Sequence, residues 1–123
     1  MSHDGFRRFH AERETLNARV MKYAGLVTKR FFHLDAQVYE EGALSARTKE
    51  LLGLVASLVL RCDDCVTYHL SQCRRAGVTD AELEEALAVG LVVGGSVVIP
   101  HLRRALQTWE GSPAAPSEVN GER

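Results

Sequence analysis

SARTKELLGLVASLVLRCDDCVTYHLSQCRR, residues 45–75, shows no alternation of apolar and polar side chains. Its apolar residues recur at three- and four-residue spacing instead, which is the period of a helix and not of a strand. Ser45 is a ready N-cap. Leu51, Leu52, Val55, Leu58 and Val59 then put apolar groups on more than one side of a helix running through Leu60. A helix apolar all round belongs at the centre of a bundle. The following segment predicts another helix from about Cys62 to Arg75, with Gly77 just past its last turn.

The same spacing extends outward in both directions. Phe6, Phe9, His10, Leu16, Val20 and Tyr23 share one face of a first helix that stops near Gly25. Val27, Phe31, Leu34, Val38 and Tyr39 suit a second, from about 26 to 40, closed by Gly42 as a left-handed C-terminal cap. Thr79-Asp80-Ala81-Glu82 is a capping-box pattern opening a fifth helix through about Val93. Gly94-Gly95 breaks it, and a sixth runs from near Val97 to Trp109, with Pro100 tolerable in its first turn. From Gly111 the chain turns to Gly, Ser, Pro, Ala and polar residues, predicting a disordered tail over 111–123 beyond a helical domain over 1–110. The fold class is all-α, a single bundle of about six helices. The continuous apolar run Ala86–Leu102 exceeds what a small core needs, so either it is the deepest core or part of it is a subunit interface.

Composition narrows the functional classes. With 123 residues the chain has the size of one domain. Fifteen Lys and Arg against sixteen Asp and Glu give a net charge of −1, which points to neither a nucleic-acid partner nor an anionic membrane surface. Residues 1–30 carry seven basic and three acidic groups, read as the solvated side of the first helix. No secretory signal is evident, because His3, Asp4, Arg7 and Arg8 stand where an apolar stretch would begin. Three cysteines are too few, and odd in number, for a secreted disulfide framework. The expected compartment is the cytoplasm, and Cys62-Asp63-Asp64-Cys65 reads there as redox or metal chemistry.

Cys62, Cys65 and His69 fall on one helical stripe, with Cys65 and His69 as i, i+4 neighbours. A thiolate is the nucleophilic form of cysteine. A nearby imidazole can take the thiol proton, directly or through one water, and the free N–H groups of a helix's first turn favour the anion. Two thiols one turn apart also let oxidation of one be resolved by the other into a disulfide. Position alone leaves the nucleophile open: the helix start favours Cys62 and the imidazole favours Cys65. Asp63 and Asp64 oppose both effects, since neighbouring carboxylates raise a thiol pKa. A metal site from Cys62, Cys65, His69 and Cys73 fits poorly, because Cys62 and Cys73 stand roughly 16 Å apart along a straight helix. Cys73 reads as a small buried hydrophobe. His101 reads as a solvent-facing or packing histidine, and Trp109 packs the end of the last helix.

Glu50, eleven intervening residues and then Cys62-x-x-Cys65-x-x-x-His69 resembles the AhpD-like alkylhydroperoxidases of the carboxymuconolactone decarboxylase superfamily. The similarity covers about Val38 to Leu106. It includes the Ser45–Glu50 helix start, the Ala76–Thr79 connection and the Gly94-Gly95 break. The resemblance implies an oligomeric all-helical fold, a trimer or a hexamer built from dimers, with the redox site near subunit contacts. It implies that Cys65 attacks a hydroperoxide, that Cys62 resolves the sulfenic acid, and that Glu50 and His69 form a proton relay. An external dithiol, lipoyl-bearing or thioredoxin-like, then reduces the disulfide, and no bound cofactor or metal is implied. The chain departs from the family pattern at Asp64, where peroxidase members carry a second histidine. An anion there disfavours the thiolate, which keeps general disulfide exchange as an alternative; a Cys/His metal-binding module on Cys62, Cys65 and His69, with a bend or a partner residue, is another. The decarboxylase branch lacks the cysteine pair.

Overall fold

The computed structural model describes residues 5–112, all of whose regular elements are helical. In chain order these are α1 (Gly5–Tyr23), α2 (Leu26–Val38), α3 (Ala46–Val59), α4 (Asp63–Arg75), α5 (Asp80–Gly94), a 3-10 turn at Ser96–Val98, and α6 (Ile99–Glu110). The tail expected beyond Gly111 lies outside the described residues from 113 onward. Ser112 itself is buried, and its carbonyl accepts from Arg74 Nη2 at 2.6 Å.

The expected caps form at α3 and α5. Ser45 Oγ accepts from the Thr48 amide at 3.0 Å. Thr79 Oγ1 accepts from the Glu82 amide at 3.1 Å while a Glu82 carboxylate oxygen accepts from the Thr79 amide at 2.9 Å, which completes the box. Gly77 is left-handed, φ 81°, and ends α4. The cap expected at Gly42 does not form. Helix α2 already ends at Val38, and among the described glycines only Gly77 and Gly95 have positive φ. The Tyr39 and Glu40 amides donate to the Ala36 and Gln37 carbonyls, and the Lys49 ammonium donates to the carbonyls of Val38 at 2.9 Å and Glu40 at 2.7 Å, so a cation from α3 satisfies the last carbonyl of α2.

Helix α3 is central, packing on both α4 and α5. Leu54 and Leu58 of α3, Val66 and Leu70 of α4, Leu83 and Leu87 of α5, with Val98 and Trp109, form the core. Gly90 lets α5 approach α3: a Cβ there would stand 2.9 Å from Leu58 Cδ2. The Trp109 indole N–H donates to Asp80 Oδ1 at 2.8 Å, and the Arg74 guanidinium lies 3.6 Å from its ring centroid. Neither α1 nor α2 contains a fully buried residue. The apolar stripe of α2 therefore faces outward in the single chain, Val27 being 78% exposed and Phe31 66%. The far side of α5 behaves alike, with Val92 83% exposed. The Ala86–Leu102 run thus divides between core and open surface.

Candidate active site

The turn from α3 into α4 sets the first cysteine. The Arg61 amide donates to the Leu58 carbonyl at 2.9 Å and the Cys62 amide to the Ser57 carbonyl at 3.0 Å. This crossed pair ends α3 as Gly77 ends α4, but with Arg61 in the left-handed region at φ 62°. A side chain held there costs roughly 1–2 kcal/mol. The strain falls immediately before the dithiol. Cys62 becomes the N-cap of α4, its Sγ accepting from the Cys65 amide at 3.3 Å. Both thiols are free; Cys65 is exposed and Cys62 partly covered.

One turn further along α4 lies a buried acid–imidazole pair. His69 Nδ1 and Glu50 Oε1 are 2.7 Å apart, and each residue is 7% exposed. Glu50 starts the inner face of α3 and His69 sits on the inner face of α4, so the pair bridges the two packed helices. The other ring nitrogen, Nε2, lies 3.5 Å from the Tyr39 hydroxyl, a long contact. The rings of Tyr39 and Tyr68 flank the imidazole, each with its centroid 5.2 Å away. The direct thiol–imidazole contact allowed by the i, i+4 spacing is absent: the ring nitrogens of His69 go to Glu50 and Tyr39.

Gly53 makes this packing possible. A Cβ at position 53 would stand 2.6 Å from His69 Cε1, 2.8 Å from Nε2 and 2.9 Å from the Tyr39 oxygen. Neither Gly53 nor Tyr39 was singled out by sequence reasoning. A glycine inside an otherwise apolar helix was an available signal for close approach. Tyr39, beyond the end of α2, carried none.

Electrostatics around the dithiol oppose ionisation. Partial burial, a hydrogen bond with Cys62 and the charges of Cys62 and Asp64 push the Cys65 thiol up to about 11; the Arg13 guanidinium pulls the other way. Asp63 does not join Asp64 in this. Its carboxylate binds His101 Nδ1 at 2.7 Å and Arg104 Nε at 2.8 Å, and these partners, His101 first, hold it below the usual carboxylate range. His101 is therefore neither solvent-facing nor merely packed. Cys73 is fully buried, as expected, and burial pushes its thiol up to about 12. Among the described residues no three His, Cys, Asp or Glu side chains converge as metal ligands would. A cleft of about 480 Å³ between α1 and α2, bounded by Phe9, Arg13, Leu16, Phe31 and Phe32, reaches Asp64 beside Cys65.

The sequence model of the carboxymuconolactone decarboxylase family matches residues 26–108. A crystal structure of a Thermotoga maritima protein superposes with a TM-score of 0.83 at 56% identity, over 85% of this chain and 91% of that one. A second Thermotoga maritima structure, of a family member for which involvement in an antioxidative response has been suggested, gives 0.82 at 53% identity over 94% and 97%. A Legionella pneumophila family member in its apo form gives 0.77 at 25% identity over 87% and 96%. In sequence, the chain is 36% identical over 71 residues to an uncharacterised Cupriavidus necator protein, covering 58% of this chain and 63% of that protein's length.

Proposed function

The chain belongs to the carboxymuconolactone decarboxylase family, and on that premise we propose that it is a thiol-dependent peroxidase acting through Cys65, Cys62, His69 and Glu50. The observation that supports the reading is a pair of free thiols at the first turn of α4, with a buried Glu50–His69 pair whose imidazole sits one turn along the same helix.

With Glu50 ionised, Nδ1 of His69 donates to the carboxylate and Nε2 is left as the base. The Cys65 proton passes to Nε2 through a bridging water. The thiolate attacks the terminal oxygen of a hydroperoxide; the S–O bond forms, the O–O bond breaks, and the departing alkoxide takes a proton to leave as an alcohol. Cys62 then attacks the sulfenic sulfur, a disulfide forms and water departs. An external dithiol, lipoyl-bearing or thioredoxin-like, restores both thiols by exchange. The cleft beside Asp64 offers Phe9, Leu16, Phe31 and Phe32 to the organic group of a hydroperoxide. Its carboxylates Glu12, Asp35 and Asp64 outnumber Arg13, which favours a neutral substrate over an anionic one. The expected setting is the cytoplasm, where thiols stay reduced. Among the described residues no helix is long and apolar enough to cross a membrane.

Peroxide consumption with a dithiol reductant tests the reading. Cys65→Ser abolishes turnover, and Cys62→Ser permits one oxidation without recycling. Wild-type consumption by Cys65→Ser overturns the proposal. A second reading, general disulfide exchange, rests on the exposed Cys65 one turn from Cys62, a dithiol that can close into a disulfide without a peroxide. It predicts fast reduction of a small disulfide substrate with negligible peroxide consumption.

A further inference from the structure

We infer that His101 and Arg104 of α6 are positioning residues of the dithiol: they bind both oxygens of Asp63, one of the two carboxylates between the cysteines, and the Arg104 cation offsets its charge toward α6. This inference takes Cys65 as the reactive thiol from the function proposed above.

Asp63 is the first residue of α4, between the N-cap Cys62 and the exposed Cys65. Left free, its carboxylate would be a second anion in the same turn as both sulfurs, adding to Asp64. It is not left free. Oδ1 meets His101 Nδ1 at 2.7 Å and Oδ2 meets Arg104 Nε at 2.8 Å, from a helix 38 and 41 residues further along the chain. His101 and Arg104 are three apart on α6, so both project from one face and grip the carboxylate together. Asp63 and Cys65, two apart on α4, point to different sides of their helix. The clamp therefore keeps the carboxylate on the side away from Cys65.

The charged groups around the dithiol then divide cleanly. Asp64 on α4 pushes the Cys65 thiol up and Arg13 of α1 pulls it down, while both oxygens of Asp63 are engaged by His101 and Arg104 of α6. The buried Glu50–His69 pair is closed on itself one turn further along α4. The clamp also ties the first turn of α4 to α6, which stiffens the turn that carries the Cys62 cap. Two requirements of a dithiol on a carboxylate-rich turn, a fixed geometry and limited negative charge, are met by one pair of side chains.

The test is the rate at which iodoacetamide alkylates Cys65 in the reduced full-length chain, followed from pH 7 to 9.5 by mass analysis of the Cys65 peptide. In the His101→Gln/Arg104→Gln double variant the uncompensated Asp63 slows alkylation roughly threefold to tenfold at each pH. Adding Asp63→Asn to that variant restores the wild-type rate, and Asp63→Asn alone leaves the rate equal to or above wild type. Far-UV circular dichroism melts accompany each variant. A double variant alkylated at the wild-type rate overturns the inference. So does one whose slowing persists after Asp63→Asn, because the helices would then matter only for packing. Alkylation reads the clamp whether or not peroxide is consumed, and peroxide consumption by wild type is measured in parallel, so failure of the peroxidase reading shows separately.

Discussion

Asp64 and Gly53 act on the site in opposite ways, one by charge and one by the absence of a side chain. Asp64 helps hold the Cys65 proton on the sulfur. Replacing it removes a negative charge beside a thiol that titrates near 11, so less of the thiol is protonated at any working pH. Asp64→Asn is expected to raise Cys65 alkylation at pH 8 severalfold, measured as a second-order rate constant. Gly53 leaves room for the imidazole that Glu50 holds. Gly53→Ala gains up to about 1 kcal/mol of helix propensity. The overlap with His69 and Tyr39 costs typically 1–3 kcal/mol, and relief requires the ring to leave its place. Peroxide consumption is expected to fall about tenfold or more while the melting temperature moves by only a few degrees. An unchanged rate would show that the ring position does not matter to turnover.

At the scale of elements, the helix ends do most of the local specification. The box at Thr79 and Glu82 starts α5, and Arg47 of α3 pairs with the same Glu82 carboxylate, so one side chain serves a cap and a tie between helices. Thr79→Ala is expected to cost about 1 kcal/mol in chemical denaturation, with an unchanged slope, because one amide loses its acceptor and the core is untouched. These caps were legible because a cap is a local arrangement of four residues. The end of α2 was not. Its last carbonyl is satisfied by Lys49, eleven residues beyond Val38, and no neighbouring residue signals that. The left-handed Arg61 was equally hidden, since a glycine would be expected in its place.

The whole chain presents more apolar surface than one copy can bury. Val27 and Phe31 of α2 and Val92 of α5 remain open while α3, α4, the inner face of α5 and α6 form the core. Burial of apolar surface is worth roughly 25 cal/mol per Å², so faces of this kind drive association. The protein is expected to self-associate, with light scattering after size-exclusion chromatography giving a mass of at least three times 13.6 kDa. Phe31→Glu and Val92→Glu are each expected to lower that mass while leaving the helical signal intact. A monomer at micromolar concentration would contradict this.

The helical class, the order of the elements and the caps at Ser45 and Thr79 were all readable from residue spacing, because each depends on neighbours within a turn or two. Family resemblance added Glu50, which spacing alone could not connect to a histidine nineteen residues away. The packing of α3 on α4 decided that Glu50 reaches Nδ1 of His69, that Tyr39 rather than Cys65 lies nearest Nε2, and that Gly53 admits the ring. The crossing of α6 decided that Asp63 is clamped and Asp64 is not. Helical periodicity says which side of a helix a residue occupies; only the packed partner says what that side meets.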